Sequence, residues 1–141
     1  MSKTQDPNDL DEQWNGLVVK GRGAVHQVDV LGQLEWIPAF TYPIRLFLEA
    51  KFRSRKTGIG AVRNAVGVLQ DINQNNSPLR GEPALRAKYQ YAYALFSTAG
   101  FSRPAVDMAL AHQVSLVDLS GDEFESLRDS IDRTAAKIVR S

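Results

Sequence analysis

The chain has 141 residues, a formal net charge of +1, 43% hydrophobic residues and no cysteine. Such a length suits one domain with a buried core, and such a composition excludes global disorder. The lack of cysteine excludes disulfides, thiolate zinc sites and a cysteine nucleophile, and a charge so near zero means that any nucleic-acid surface is a local patch.

No run reaches the roughly 20 apolar residues of a membrane span, and the polar, acidic opening MSKTQDPNDLDEQ does not resemble a signal peptide. A cytoplasmic protein without a membrane partner is expected. Residues 1–8 read as a flexible tail ahead of a single domain over residues 9–141. Residues 8–14 suit a short helix, with Asp6 or Asp9 as cap and Leu10 and Trp14 on one side. Leu17-Val18-Val19-Lys20 is a β-prone run, and Gly21-Arg22-Gly23 signals a turn or bulge. There is no internal repeat and no low-complexity tract.

Residues 24–53 read as two strands joined by a loop. The first carries Asp29 between Val28 and Val30. The loop, Glu35-Trp36-Ile37-Pro38-Ala39-Phe40-Thr41-Tyr42-Pro43, holds two prolines that cannot donate to a ladder. The second strand, IRLFLEAKF, has the apolar character of a strand covered on both faces and carries Glu49 and Lys51 at its end. Arg53, Ser54, Arg55 and Lys56 lead out of it to Thr57, a candidate helix cap. From there to Asn73, Ile59, Val62, Val66, Leu69 and Ile72 fall at helical spacing. Gly58, Gly60 and Gly67 weaken that helix by about 1 kcal/mol each against alanine, which points to close packing as their reason.

Residues 73–83 form the clearest loop. The strand KYQYAYALFST follows, and then a helix capped by Ser102 with Pro104 in its first turn. VSLVDL is a further strand. Ser120-Gly121-Asp122-Glu123 has the form of a capping box, opening a last helix whose stripe is Phe124, Leu127, Ile131, Ala135 and Ile138. Helix, strands, helix, strand, helix, strand, helix is the order of an α/β sandwich with a mixed sheet.

Side chains two apart on a strand share a face, so Glu49 and Lys51 point the same way. If the two strands pair antiparallel, Asp29 comes within reach of Glu49. Two carboxylates and an ammonium then meet at the edge of an apolar sheet, where a hard divalent cation neutralises the acids well. A Mg²⁺ site for phosphodiester cleavage is the reading this supports. The alternative is purely structural: Asp29 and Glu49 at strand ends, bonded to Lys51 and Arg53.

Three stretches carry a family resemblance: His26-Gln27-Val28-Asp29-Val30, Leu48-Glu49-Ala50-Lys51-Phe52, and the strand–turn–helix–strand block of residues 96–119. Over roughly residues 17 to 121 the chain resembles the restriction-endonuclease-like PD-(D/E)XK superfamily, and its Mrr-type branch in particular. The resemblance implies an α/β restriction-endonuclease-like sandwich, a central mixed sheet flanked by helices. It also implies metal-dependent hydrolysis of DNA in restriction or DNA defence, with Mg²⁺ as cofactor and Mn²⁺ able to substitute. Asp29 matches the first metal-binding acid and Glu49 the second; the Ala50 carbonyl completes the protein's share of the metal shell. Lys51 matches the lysine that orients or activates the attacking water, and His26 a histidine that supports the site. Glu12, Glu35 and Gln70 are further candidates for an auxiliary role.

Arg53, Arg55, Lys56 and Arg63 gather just beyond Lys51, where cationic side chains and a helix N-terminus suit phosphate contacts. Arg80, Arg86 and Lys88 could extend that track. DNA is the expected partner, with a homodimer or a fused specificity domain supplying what one small domain lacks. A non-catalytic DNA-binding or interaction module on the same fold is the competing reading. A small hydrolase finds no support: there is no G-x-S-x-G, H-E-x-x-H or G-x-x-x-x-G-K.

Overall fold

The computed structural model describes residues 1–3, 5–75 and 89–140, arranged as a mixed α/β fold with two sheets. The first sheet is an antiparallel meander of β1 (Leu10–Gln13), β2 (Gly16–Lys20) and β3 (Val25–Gln27). The second is mixed, in the order β4 (Val30–Gln33), β5 (Ile44–Lys51), β6 (Gln90–Ser97) and β7 (Ser115–Asp118). Here β4 runs antiparallel to β5, and β5, β6 and β7 run parallel. The helices α1 (Ile59–Asn73) and α2 (Arg103–His112) lie in the two parallel crossovers; a 3₁₀ turn, Asp122–Phe124, leads into α3 (Glu125–Arg140).

The helix expected over residues 8–14 is instead the first half of a hairpin. Leu10 pairs with Val19, and Gln13 with Gly16, across a two-residue turn at Trp14 and Asn15. Gly16 takes φ +128°, which only glycine adopts without strain. Trp14 is 97% exposed, so it contributes nothing to a buried face. The segment expected as a free tail is also held: Asp6 forms an ion pair with Arg45, and the Met1 ammonium donates to the Leu31 carbonyl.

The strand expected around Asp29 is broken into β3 and β4. Val28 donates to the Leu17 carbonyl and still belongs to the first sheet; Val30 already pairs with Leu48 of the second. Val28 is buried while Val30 is largely exposed, so the two valines face different surroundings as the chain changes sheets. Asp29 occupies the bend between them and is exposed.

Along β5 and β6 the odd-numbered side chains face the core. Phe47 stacks on Tyr93 with ring centroids 4.8 Å apart, and Tyr91 and Leu95 continue that surface against Val62, Ala65 and Ile72 of α1 and Ala105 and Ala109 of α2. The even-numbered residues of β5, Leu46 and Leu48 among them, are only half-buried. The strand is thus fully covered on one face, not on both.

α1 starts at Gly58, which caps it without a side-chain bond, and not at Thr57. Thr57 is fully buried, and its hydroxyl lies 2.8 Å from Ser97 Oγ, tying the link after β5 to the end of β6. Ser102 does cap α2, accepting from the Ala105 N–H, with Pro104 in the first turn. The capping box at Ser120 does not form. Ser120 Oγ donates to Asp118, and Arg128 reaches back to the Leu119 and Gly121 carbonyls. Most of the loop expected at residues 73–83 lies outside the described residues, as do Arg80, Arg86 and Lys88.

Close packing does not explain the glycines of α1, because a Cβ at Gly58, Gly60 or Gly67 would meet no atom within 4 Å. Gly67→Ala is therefore expected to stabilise the fold by about 1 kcal/mol through helix propensity, read as a raised urea midpoint at unchanged slope. A loss of stability would show that the position holds something against the helix.

Candidate active site

The register places the acids together. Val30 pairs with Leu48, so the residue before Val30 comes opposite Glu49, and Asp29 Oδ2 accepts the Ala50 N–H at 2.9 Å. In an antiparallel ladder a residue's N–H and C=O point to the same neighbour. Ile44 O accepts from Leu34 on the β4 side, whereas Lys51 O accepts from Thr98 on the β6 side. Even-numbered residues of β5 therefore direct their backbone groups towards β4. Ala50, whose N–H already meets Asp29, presents its carbonyl to that same edge.

Glu49 and Lys51 share the odd face of β5, as alternation requires, and Lys51 Nζ lies 2.5 Å from Glu49 Oε1. Both side chains keep about a quarter of their surface in solvent. The second oxygen of Glu49 accepts a short hydrogen bond from the Tyr93 hydroxyl. Burial, then the bond to Glu49, then the charges of Glu49 and Asp29 push the Tyr93 hydroxyl well above the ordinary tyrosine range, so it remains a donor. Tyr93, legible in the sequence only as part of the strand KYQYAYALFST, is a further residue at the site. It does pack, against Phe47, but its tip reaches the acid.

This donor set fits a hard cation. Asp29 Oδ1 has no partner among the described residues, and a carboxylate has about four lone-pair sites, so Glu49 retains acceptor capacity beside Lys51 and Tyr93. Among the described residues no three acid or histidine side chains converge on one point, which leaves two carboxylates and a carbonyl. Mg²⁺ accepts such a sparse protein shell because it keeps several of its waters.

His26 is engaged elsewhere. Its Nε2 lies 2.7 Å from Asp71 Oδ2 on α1, and the same carboxylate accepts from the Gly23 and Ala24 N–H groups. The bond to His26 is the main cause that holds the Asp71 carboxyl below the usual range. The arrangement clamps the turn between β2 and β3 onto α1. Of the auxiliary candidates, Glu12 is exposed on β1 and Glu35 in the loop before β5, and Gln70 is exposed on α1.

Arg53, Arg55, Lys56 and Arg63 are all exposed. Arg53 lines a cleft of about 460 Å³ between the end of β5 and α3, whose walls include Phe52, Thr98, Arg128, Asp129 and Ile131. Lys56 adds its charge to the environment of Asp118, whose carboxyl is held low chiefly by two bonds from Ser120. Arg53, Arg55 and Lys56 follow the carboxyl end of β5 in the chain and Arg63 lies on α1; the carboxyl ends of parallel strands are the usual place for a ligand in an open α/β sheet.

No family model, curated protein or solved structure matches the chain. Among the described residues no helix is long and apolar enough to cross a membrane.

Proposed function

We propose that the chain is a metal-dependent nuclease of restriction-endonuclease-like fold, hydrolysing phosphodiester bonds in DNA. The observation that supports this best is the convergence of Asp29, Glu49, the Ala50 carbonyl and Lys51 at neighbouring ends of β4 and β5. Asp29, Glu49 and Ala50 would hold a divalent cation, which when bound supplies Lewis-acid polarisation of a phosphate oxygen and offsets developing charge. Lys51, with three N–H donors and no acceptor, orients the attacking water and donates to the phosphate oxygens. Tyr93 fixes Glu49 from below. Arg53, Arg55, Lys56 and Arg63 contact the DNA backbone, giving affinity without sequence information.

One observation favours a second reading, a DNA-binding module without catalysis: Lys51 Nζ is already paired with Glu49 Oε1 at 2.5 Å. Supercoiled plasmid separates the two. The nuclease reading expects conversion to nicked and linear forms with Mg²⁺ or Mn²⁺, none with chelator, and none with Asp29→Ala. Salt-sensitive retention of the plasmid without any cleavage, under every divalent ion tried, would establish the binding module instead.

A further inference from the structure

The cleft between the chain leaving β5 and α3 begins one residue past Lys51, at Phe52, and holds about 460 Å³. That volume lies in the range of small-ligand sites. One wall is tied to the lysine's own backbone. The Thr98 N–H donates to the Lys51 carbonyl at 3.1 Å, and Thr98 Oγ1 accepts the Arg53 N–H at 3.1 Å. The α3 wall is anchored where Arg128 bonds the Leu119 and Gly121 carbonyls. Hydrogen bonds thus fasten both walls beside the proposed reaction centre.

The lining offers three kinds of contact. Phe52, 58% exposed, and half-buried Ile131 give an apolar surface with an aromatic face. Glu125, Asp129 and Asp132, four and then three residues apart on one face of α3, supply acceptors. Arg53 supplies donors from the β5 side. A bare phosphate is repelled by three carboxylates. A simple cation meets Arg53 and leaves the aromatic face unused. A planar nucleobase uses all of them: its face stacks on Phe52, its N–H groups meet the carboxylates and its ring acceptors meet Arg53.

We propose that this cleft takes one unstacked base of the DNA strand being cut, and that it prefers a base with an exocyclic amino group. Adenine, cytosine and guanine carry such a donor, whereas thymine has carbonyl oxygens in its place. The carboxylates accept from the first three and repel the last. Inside a duplex a base has its faces stacked and its pairing edge occupied. The substrate class is therefore single-stranded DNA, or a duplex from which one nucleotide is turned out at the cost of unpairing. This rests on the nuclease reading for the strand itself and names the substrate that the same site takes.

The test is fluorescence anisotropy of end-labelled oligonucleotides of about 12 nucleotides with the full chain, in chelator so that nothing is cut. Oligo-dC against oligo-dT is the decisive comparison, since two pyrimidines stack alike. Oligo-dC should bind about tenfold tighter than oligo-dT, and about tenfold tighter than the same strand annealed to its dG complement. Phe52→Ala should weaken oligo-dC binding about tenfold, and Phe52→Trp should keep it. Asp129→Ala combined with Asp132→Ala removes acceptors and negative charge together. It should tighten oligo-dT and bring the two strands within about twofold of each other, a change in ratio that a merely structural role would not produce. These side chains are exposed, and urea midpoints check that the variants fold. Equal binding of oligo-dC and oligo-dT by the parent overturns the proposal. So does oligo-dC binding that Phe52→Ala leaves unchanged, or no binding of either strand. Discrimination without any plasmid cleavage would keep the base site and remove the nuclease; cleavage without discrimination would remove the base site alone.

Discussion

Lys51→Ala is expected to cut plasmid about 1,000-fold more slowly than the parent in Mg²⁺, with DNA retention close to unchanged, as suits removal of a group that acts on the reacting atoms. The cation sits 2.5 Å from Glu49, at the carboxyl end of β5 and on the same face. Among the described residues no other cation pairs with that carboxylate. Arg53, two residues further on, is exposed, and its backbone N–H is engaged by Thr98.

The variant also distinguishes Lys51 from the acids. On the proposed nuclease reading Asp29→Asn is expected to weaken cation binding, so raising Mn²⁺ should restore part of its rate. The same ion should do little for Lys51→Ala, whose missing donor no cation concentration replaces. Initial rates of nicking across a Mn²⁺ series read both. Equal rates for Lys51→Ala and the parent would sink the catalytic assignment while leaving the fold untouched.

What the sequence made legible follows physical range. α1, β6, α2 and β7 were readable because apolar spacing, Ser102 and Pro104 are local signals, and the structure places an element at each. The pairing of Asp29 with the end of β5 was readable as a consequence of antiparallel register. The N-terminal hairpin was not read, although Asn15-Gly16 beside a β-prone run hints at a turn; the loop itself is Trp14 and Asn15, and Gly16, just after it, takes the positive φ. Two acids near Leu10 and Trp14 looked like a helix start because caps and strand ends use the same residues.

Register between distant strands has no local signature. That Tyr93 would reach Glu49, and Asp71 would claim His26, depends on how β6 and α1 lie against residues more than forty positions away. Arg45 is the clearest omission. Its parity with Phe47, Glu49 and Lys51 already placed it on the core face, where a charge must be paired.

Its replacement gives the largest expected effect on stability. Arg45 is 1% exposed, among the largest fully buried side chains of the described residues, and five groups share it. Asp6 lies 2.7 Å from the guanidinium and Asp9 3.7 Å; the Tyr91 hydroxyl and Gln33 Oε1 accept from it, and the Tyr89 ring stacks 3.4 Å away. Burial opposes its charge, but the bonds to Tyr91 and Asp6 outweigh that and hold it protonated. Burial in turn pushes the Tyr91 hydroxyl up to about 12, so that phenol is neutral at every working pH.

Arg45→Met keeps much of the volume and removes the charge, leaving Asp6 and the buried Asp9 facing an apolar stem. Breaking a buried pair from one side costs about 3–5 kcal/mol. The N-terminal segment can relieve part of this by swinging out, since Asp6 lies near the chain's start, but Leu10 is fully buried on the same segment and limits how far it moves. A loss of about 3 kcal/mol is therefore expected in urea unfolding. Asp6→Asn should lose less, because Arg45 retains Tyr91, Gln33 and Asp9. A loss below about 1 kcal/mol for Arg45→Met, no more than an exposed ion pair contributes, would mean that β5 does not need its buried cation and that the N-terminal segment docks by its apolar residues alone.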